Sequence, residues 1–276
     1  MSGAAPPAEP WSALDPVVDY YDSDHPQADE PEAADAWSRM SKWGQDEATY
    51  ASWASKALGP VLELCAGTGR ISAAIARVTC DLTCVDGSDA MLDRLRDRFA
   101  RVASDRKVSL LRQNIIELSP PRADYALAVI PYNSLPLVNT LEGQMRVLAR
   151  VRDVLAPGGL LVLDCENAHF VSPMGRTPQF AFTRKHKTRG NVYSKWIGTS
   201  AMSPAQGVTL HGWYDEAVTS ENLVRRVFWS SEQRVVYPSE LRLMCKLAGF
   251  REACLFDISG GAFAAHSSRY IVEARR

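Results

Sequence analysis

The sequence predicts an α/β fold built on a mostly parallel sheet with helices on both faces, and three observations carry that prediction. Strand-like and helix-like segments alternate between residues 60 and 166. The strand segments are almost continuously apolar, which is typical of strands buried on both faces. A Gly-x-Gly turn, Gly67 to Gly69, separates the first of these strands from the helix that follows it. After Glu166 the pattern becomes β-rich and partly alternating, which predicts an antiparallel insertion.

The first sixty residues divide into two parts. Residues 1–12 are small, rich in proline and without periodicity, which is typical of a disordered tail. Residues 13–59 carry the pair Tyr20-Tyr21, and within them residues 35–58 place aromatic and small side chains at helical spacing, up to Gly59-Pro60. We expect one or two helices here, and we expect residues 13–59 to form a lid.

The core is expected over residues 60–166. Its predicted strands are 61–65, 81–85, 108–112, 125–130 and 159–165. Its predicted helices are 69–78, 88–101 and 141–155. The triplet Pro157-Gly158-Gly159 predicts a turn immediately before the fifth strand. The alternation of these elements predicts parallel strands connected through helices.

The remainder of the chain divides at residue 236. Within residues 167–236 the expected strands are 180–186, 191–198, 208–218 and 222–236, and they would form an antiparallel cap or an oligomer surface. Residues 237–276 return to the strand–helix alternation of the core, with a helix from Ser239 to Ala248 and strands at 252–258 and 268–274. These last strands would complete a seven-stranded sheet.

Composition excludes several classes of protein. The formal net charge is −1, with 46% hydrophobic and 23% charged residues, which gives no general attraction to nucleic acid or to an anionic membrane. No apolar run approaches the roughly 20 residues that span a bilayer, and the N-terminus lacks a signal-peptide pattern. A cytoplasmic location is therefore expected. The excess of arginine over lysine suggests a bacterial source. The six cysteines form no C-x-x-C pair, so we expect buried thiols and neither a metal site nor disulfides.

Loops that follow the carboxyl ends of parallel strands line the ligand crevice of such a sheet. The glycine turn alone also suits dinucleotide-binding folds, so it does not identify the ligand. Asp86 ends the second strand about 20 residues later and could accept hydrogen bonds from ribose hydroxyls; it could instead cap the next helix, although Ser88 suits that role better. Asn114 follows the third strand, where its amide could meet an adenine amine or simply form a turn.

The chain resembles the class I S-adenosylmethionine-dependent methyltransferases, whose fold is Rossmann-like. The segments that carry the resemblance cover about residues 60–165 and 237–274, in the family's order and spacing. They read VLELCAGTGR, TCVDGSDAMLDRLR, LLRQNI, YALAVIPYNSL, LARVRDVLAPGGLLVLD and YPSELRLMCKLAGF. Dinucleotide-dependent dehydrogenases lack the Pro-Gly-Gly turn and the reversed last strand. The resemblance implies S-adenosylmethionine as cofactor and S-adenosylhomocysteine as product.

The resemblance also implies roles for particular residues. Glu63 would hold the amino end of the methionine part, and Ile130 would lie beneath that part. An N-terminal tyrosine would close over the cofactor, and both Tyr21 and Tyr20 are candidates, with core packing as the alternative for either. The expected cofactor-binding residues are Tyr21, Glu63, Ala66, Gly67, Gly69, Asp86, Gly87, Met91, Asn114, Ile115 and Ile130.

Two departures from the family bear on mechanism. Cys65 stands where many relatives have glycine, which suggests a slightly different turn. Many relatives also place a histidine shortly after the fourth strand, where this chain has Leu137. An amine nucleophile needs no strong base, whereas a hydroxyl benefits from one. The missing histidine therefore favours N-methylation over O-methylation.

Several residues remain candidates for the chemistry. Tyr132 follows the fourth strand and could bind or wall the acceptor, although a simple turn explains Pro131-Tyr132 almost as well. If a base is used, the candidates are His186, His211, Glu166 and His169, and each histidine could equally be structural. The basic run 184–189 could be a solvated turn, or a lid that contacts an anionic substrate or RNA. The aromatic residues of the cap suit a ring-bearing ligand, core packing or a dimer interface.

The sequence thus predicts a methyltransferase acting on a small secondary metabolite, resembling the N-methyltransferases of antibiotic and amino-sugar pathways. O-methylation of a similar metabolite is the alternative within the same class. A protein that binds S-adenosylmethionine without transferring its methyl group is the alternative from another class. The expected partner is a small-molecule acceptor, with no nucleic acid or membrane, and the chain could form a homo-oligomer through the cap.

Overall fold

The computed structural model describes residues 16–28, 30–31, 45–79, 81–102, 107–264 and 266–276. The predicted disordered tail, and the part of the predicted helical segment before residue 45, lie outside the described residues. The helices are α1 (Pro16–Asp24), α2 (Gln45–Lys56), α3 (Arg70–Ala76), α4 (Asp89–Val102), α5 (Leu141–Val154) and α6 (Pro238–Leu247). The strands are β1 (Val61–Leu64), β2 (Asp81–Asp86), β3 (Lys107–Arg112), β4 (Tyr125–Ile130), β5 (Leu155–Glu166), β6 (Arg176–Lys185), β7 (Val192–Thr199), β8 (Gly207–Val218), β9 (Leu223–Arg234), β10 (Glu252–Asp257) and β11 (Arg269–Arg275).

The core is a seven-stranded sheet in the order β10-β11-β5-β4-β1-β2-β3, which confirms the predicted fold class. Strands β1 to β5 are parallel, and β11 runs antiparallel to both β5 and β10. Strand β1 lies between β2 and β4, so the strand order reverses there. In open α/β sheets this switch point forms a crevice at the carboxyl ends of the strands.

The predicted turn at Pro157-Gly158-Gly159 is wrong in its placement. Strand β5 already begins at Leu155, and the triplet lies inside it as an irregularity. The register with β4 shifts from Tyr125 opposite Leu155 to Leu127 opposite Leu160. Gly158 takes φ of 77° within this irregularity, a conformation that suits glycine. The backbone does turn locally at the triplet, but β5 pairs with β4 both before and after it.

The insertion forms a second sheet of four antiparallel strands, β6-β7-β8-β9, as predicted. We call this sheet the cap. Its inner face contributes Phe182, Tyr193, Tyr214 and Trp229 to one buried cluster, in which Tyr20 of α1 also packs. Its outer face carries one aromatic residue on each strand, in a row of directly paired positions: Phe180, Trp196, Trp213 and Phe228. An oligomer formed through the cap remains a prediction.

Helix α1 joins the core to the cap through two aspartates. The Thr68 hydroxyl of the glycine turn donates to Asp22 at 2.6 Å, and Arg98 of α4 donates to the same carboxylate at 3.1 Å. Two residues later, Asp24 accepts hydrogen bonds from the hydroxyls of Tyr193 (2.8 Å) and Tyr214 (2.7 Å) in the cap. One helical turn thus holds both parts of the molecule together.

The basic run 184–189 contains an exposed turn at residues 187–189, in keeping with the turn interpretation, and its two arginines also dock this helix. Arg184 is buried and donates to the backbone carbonyls of Ser23 and Asp24. Arg189 pairs with Asp19 at 2.7 Å and with Glu216 at 2.7 Å. These cations bind residues of the chain itself.

The described cysteines are free thiols, and three of them, Cys84, Cys165 and Cys245, are buried. Cys65 is half-buried and Cys254 is exposed. Within the part of the chain that the structure describes, no helix is both long and apolar enough to cross a membrane.

Candidate functional site

The turn after β1 brings three left-handed backbone conformations into five residues. Cys65 has φ of 56°, Gly67 of 57° and Gly69 of 86°. A Cβ on Gly69 would lie 2.9 Å from Cγ of Leu95, so only glycine fits there without displacement. Cys65 thus takes a conformation that favours glycine, at a cost of about 1–3 kcal/mol for a side-chain-bearing residue. The backbone N–H of Ala66 donates to the Val85 carbonyl at 3.0 Å, which ties the turn to β2.

Tyr21 lies over this turn, and the neighbouring Tyr20 does not. A Cβ on Gly67 would lie 3.4 Å from the Tyr21 hydroxyl oxygen, so the phenol covers the face of the turn that glycine leaves open. The Tyr20 hydroxyl instead donates to Glu216 of the cap at 2.6 Å, and its ring stacks on Tyr214. The geometry therefore favours Tyr21 as the residue that closes over the cofactor, which we retain as a proposal.

Asp86 connects the end of β2 to the glycine turn. Its Oδ2 accepts the Gly67 N–H at 2.8 Å, and its Oδ1 accepts the Ser88 N–H at 2.9 Å. Burial raises the pKa of this carboxyl above its usual range. A carboxylate has about four lone-pair positions, and the backbone N–H groups of Ser88, Gly67 and Gly87 do not use all of them, so acceptor capacity remains for a ribose hydroxyl. Ser88 takes the capping role, since its Oγ accepts the Met91 N–H at 3.3 Å.

The proposed adenine-side residues lie in the loops that follow β2 and β3. Gly87 is exposed beside the backbone of Gln113, and Met91 is buried at the start of α4. The Asn114 side chain accepts the Ile116 N–H at 3.0 Å and caps a short 3-10 helix, which matches the turn alternative. Ile115 and Ile130 pack into the hydrophobic core beneath the crevice. An adenine contact through the Asn114 carbonyl oxygen would have to share that cap.

Glu63 is fully buried in the middle of the sheet. Burial raises the pKa of its carboxyl to about 8, and the Cys84 thiol lies 3.9 Å from its Oε2. The side chain is therefore protonated at neutral pH in the absence of a bound cation. A positively charged amino group placed against it would favour its ionised form, which is compatible with its proposed role toward the methionine part.

Glu63→Gln should change how stability depends on pH. A carboxyl whose pKa is higher in the folded than in the unfolded state costs stability as pH rises from about 4.5 to 8, because only the unfolded chain ionises readily. We expect the free energy of unfolding, measured by urea titration at pH 5 and pH 8, to fall less in Glu63→Gln than in the unmodified protein. Glu142→Gln, an exposed carboxylate in α5, is the matched control. Identical pH slopes in all three proteins would contradict the assignment.

The loop after β4 is held in a strained conformation. Tyr132 and Asn133 both have positive φ, 57° and 54°, which costs about 1–3 kcal/mol for each residue. Asp164 of β5 accepts the backbone N–H of Tyr132 at 2.6 Å and that of Asn133 at 3.2 Å. One buried carboxylate therefore fixes the loop that faces the crevice.

Asp164 is the centre of a buried ionic network that sequence reasoning missed. It also accepts the Tyr50 hydroxyl at 2.6 Å and is paired with the Arg269 guanidinium. Asp46 accepts two hydrogen bonds of 2.8 Å from Arg70, and its carboxylate lies 3.6 Å from Arg269. Together these groups connect α2, α3, β5 and β11. The signal available in the sequence was a charged residue within an apolar segment, as at Arg70 and Asp164.

This network also surrounds the ring of Tyr132. The guanidinium carbon of Arg70 lies 5.4 Å from the ring centroid, and that of Arg269 lies 5.0 Å from it. Both distances are within the range of cation–π attraction. Burial raises the pKa of the Tyr132 hydroxyl well above its usual value, so the phenol stays neutral. Tyr132 is not among the residues that line the cavity described next, so its role toward the acceptor stays a prediction.

A cavity of about 220 Å³ lies between the carboxyl ends of the core strands and the inner face of the cap. Asn133 spans its edge, since its Oδ1 accepts the Glu166 N–H at 3.0 Å and its Nδ2 donates to Gln233 of β9 at 3.4 Å. The cavity is mostly apolar, with a few polar groups, as small-molecule sites generally are. Its lining residues are Asn133, Pro136, Glu166, Phe170, Val171, Ser172, Arg176, Ile197, Gly198, Thr199, Val208, Leu210, Gln233, Val235 and Val236.

The structure does not bring the candidate histidines to this cavity. His186 is buried in the cap, where its Nδ1 accepts the backbone N–H groups of Thr188 (3.3 Å) and Arg189 (3.2 Å). His211 of β8 lies opposite Ser230 of β9 in the strand register. Its side chain is on the same side of β8 as Trp213, which is the outer face. His169 is exposed and packs edge-on against Tyr237. Of the candidate bases, Glu166 alone lines the cavity.

One histidine that sequence reasoning missed lies beside the crevice. The His25 ring is 4.1 Å from that of Tyr21 and 5.2 Å from that of Tyr132, between centroids. Its Nδ1 lies 2.8 Å from the Tyr21 carbonyl oxygen, which can only accept, so Nδ1 carries the proton. Burial lowers the pKa of His25 to about 3, and the ring is therefore neutral at physiological pH.

The proposed cofactor site fits S-adenosylmethionine. The glycine turn leaves its backbone open to a ligand, Asp86 retains acceptor positions for ribose, and Tyr21 lies above the turn. Among the residues that the structure describes, no three histidine, cysteine, aspartate or glutamate side chains lie close enough together to hold a metal ion. The glycine turn, Asp86 and Tyr21 suit an organic cofactor that binds through hydrogen bonds.

Comparison with known proteins finds a similarity that covers most of the core and extends beyond it. Residues 61–159 match the family model described as a methyltransferase domain. The protein described as putative methyltransferase YqeM of Bacillus subtilis (strain 168) is 24% identical over 219 residues, which is 79% of this chain and 84% of the relative.

Several solved structures share the fold over most of the chain. The CcbJ methyltransferase from Streptomyces caelestis has a TM-score of 0.73 at 24% identity, and the match covers 95% of this chain and 97% of that one. S-adenosylmethionine-bound CalS10, an amino pentose methyltransferase from Micromonospora echinaspora involved in calicheamicin biosynthesis, has a TM-score of 0.66 at 14% identity, over 88% and 92% of the two chains. The sugar N-methyltransferase KedS8 from Streptoalloteichus sp ATCC 53650 has a TM-score of 0.64 at 15% identity, over 84% and 89%. These likenesses show the fold.

Proposed function

We propose that this chain is an S-adenosylmethionine-dependent methyltransferase, which transfers the methyl group to an amine nitrogen of a small molecule held between core and cap. The observation that carries the proposal is the composition of the cavity: a carboxylate and amides line it, and none of its lining residues is histidine. KedS8, which shares the fold, is described as a sugar N-methyltransferase. An amine nucleophile is the acceptor that such a lining suits.

The residues would act mainly by positioning. When bound, the cofactor supplies an electrophilic methyl group on a sulfonium. Asp86 and the glycine turn would hold the nucleoside, while Tyr21 covers it from α1. The loop at Tyr132 and Asn133, fixed by Asp164, would set the acceptor nitrogen in line, and the apolar lining of the cavity would exclude water. Such positioning can supply several kcal/mol of the barrier.

His25 does not favour the alternative of a hydroxyl acceptor. A general base works best when its pKa is near the pH of the reaction. With a pKa of about 3, His25 would take a proton from a hydroxyl only weakly. We propose that it positions Tyr21 and Tyr132 against the crevice.

We further propose the division of labour expected from the sequence. Residues 60–166 and 237–276 would bind the cofactor, residues 13–59 would cover it, and residues 167–236 would supply the acceptor site. The reaction would take place in the cytoplasm of a bacterium, in the pathway of a secondary metabolite.

Product analysis tests the acceptor atom. The full chain would be incubated with cofactor carrying a ¹³C-methyl group and a metabolite extract, and the labelled product would be examined by NMR. A methyl carbon attached to nitrogen is expected. A methyl carbon on oxygen would overturn N-methylation in favour of the O-methyl alternative. Tight S-adenosylhomocysteine binding with no transferred label would overturn methyl transfer itself.

His211→Ala should leave turnover almost unchanged, because His211 lies on the outer face of the cap. We expect kcat/KM for the acceptor identified in that experiment to stay within about threefold of the value for the unmodified protein. A general base contributes about 10²–10⁴-fold, so its loss would have a far larger effect. A loss of turnover by a factor of a hundred with unchanged cofactor affinity would show that His211 is the base.

A further inference from the structure

Two of the residues that line the cavity have acidic or basic side chains, Glu166 and Arg176. Several charged groups beside the crevice are paired with one another, as in the network of Asp164, Asp46 and Arg269. By contrast, within the described part of the chain neither the Glu166 carboxylate nor the Arg176 guanidinium forms a salt bridge or a side-chain hydrogen bond. The nearest influence on Glu166 is the longer-range attraction of the Arg269 guanidinium. Two opposite charges in one cavity are thus left to interact with a ligand.

These charges come from opposite walls of the cavity. Glu166 is the last residue of β5 and lies at the crevice edge of the core, where its backbone N–H is held by Asn133 at 3.0 Å. Arg176 is the first residue of β6 in the cap and lies opposite Thr199, another lining residue. The two side chains form no salt bridge with each other. A ligand between the walls could therefore meet both charges at once.

We propose that the acceptor is an amine that also carries an anionic group, a carboxylate or a phosphate, with its nitrogen at Glu166 and its anion at Arg176. This inference rests on the proposed N-methylation. The nitrogen is assigned to Glu166 because the crevice, where the cofactor would bind, lies on that wall. A guanidinium binds carboxylate and phosphate oxygens in a bidentate manner, which gives direction as well as affinity. The apolar residues between the walls suit a short hydrocarbon body.

Glu166 has a second use in this arrangement. As the new bond between nitrogen and methyl carbon forms, the bond between carbon and sulfur breaks and sulfur keeps the electron pair. The methylated nitrogen then carries a positive charge and one proton more than the neutral amine product. The Glu166 carboxylate both attracts that charge and is placed to accept the proton. Its removal should therefore affect binding of the amine more than binding of the anion.

Calorimetric titration of small probes tests the charge assignment. The full chain, saturated with S-adenosylhomocysteine, would be titrated with glycine, β-alanine, 4-aminobutanoate and 5-aminopentanoate, each alongside its primary amide. A second arm would compare 2-aminoethyl phosphate with 2-aminoethanol. At least one anionic probe is expected to bind at least about tenfold more tightly than its neutral partner. The arm with the larger ratio identifies carboxylate or phosphate as the anion.

Two variants locate the effect. Arg176→Gln should abolish the preference for the anionic probe and leave affinity for the neutral partner unchanged. Glu166→Gln should weaken the anionic probe and its neutral partner alike, because both carry the amine. Arg150→Gln, an exposed arginine of α5, is the matched control and should behave like the unmodified protein. Equal affinity of anionic and neutral probes, or no binding of any probe at tens of millimolar, would overturn the inference.

The test of the anion site and the test of N-methylation can fail independently of each other. N-methylation of a neutral amine, together with failure of every anionic probe, would overturn the charge assignment and leave N-methylation intact. Binding of anionic probes through Arg176, together with a methyl group found on oxygen, would overturn N-methylation and leave the anion site intact.

Discussion

Asp86→Ala is expected to weaken S-adenosylhomocysteine binding by about two orders of magnitude. Hydrogen bonds to a charged group contribute about 1.5–3 kcal/mol, and two ribose hydroxyls would lose their acceptor. The variant also removes the acceptor for the backbone N–H groups of Gly67 and Ser88. The glycine turn would therefore lose one of its links to β2, while that between Ala66 and Val85 remains, at the same time as the ligand loses its anchor.

The measurement is calorimetric titration of the purified variant with S-adenosylhomocysteine, with the thermal unfolding midpoint recorded alongside. Asp86→Asn, which keeps one carbonyl acceptor, should show a smaller loss. Asp89→Ala is the matched control, because Asp89 is exposed and pairs with Arg112 on the surface at 3.0 Å. Unchanged affinity in a folded Asp86→Ala protein would remove the ribose assignment. A fall in affinity of Asp89→Ala equal to that of Asp86→Ala would show that charge alone is responsible.

The order of the core elements could be predicted because its signals are local. Most of the parallel strands are short apolar runs bounded by turn residues, and the helices α4 and α5 between them have amphipathic spacing. The cofactor loops follow directly from those strand ends, so Gly67, Gly69 and Asp86 fall within two short segments. The misplaced turn at residues 157–159 shows the limit of local signals. Pairing with β4, which a local pattern does not reveal, continues across that turn.

The network around Asp164 could not be predicted because it is long-range. Its charged members extend from Asp46 to Arg269, and no periodicity links residues so far apart in the chain. The same reason explains the basic run 184–189. Read locally it is a cluster of cations, whereas in the structure its arginines bind carbonyl and carboxylate groups of α1, some 160 residues earlier.

Helix α1 was expected within a lid, but its double attachment was not. Asp22 holds it to the glycine turn and Asp24 holds it to the cap, so movement of either part must involve this helix. Asp22 and Asp24 are chemically identical residues of one helix. They differ only in the neighbours that the fold brings to each of them. This is also why the sequence could not distinguish Tyr20, which faces the cap, from Tyr21, which covers Gly67.

Asp164→Asn is expected to destabilise the protein by about 3–5 kcal/mol, the range observed when one partner of a buried ion pair is removed. The asparagine keeps the shape of the side chain, but Arg269 would retain a buried positive charge without its principal counter-ion. The positive φ angles of Tyr132 and Asn133 would also lose part of the interaction that maintains them. The free energy of unfolding would be measured by urea titration. Asp153→Asn, an exposed aspartate of α5, is the control, and a loss below about 1 kcal/mol would contradict the role of Asp164.

Adding Arg269→Met to Asp164→Asn separates the ion pair from the loop. Replacing both members of a buried ion pair by groups of similar volume is often neutral or stabilising, so the double variant should regain much of the lost stability. It would still lack the carboxylate that accepts the N–H groups of Tyr132 and Asn133. If that carboxylate positions the acceptor loop, turnover should remain low while stability and S-adenosylhomocysteine affinity recover. Recovery of turnover together with stability would instead show that Asp164 serves the fold alone, because a loop free of its clamp would then be sufficient for methyl transfer.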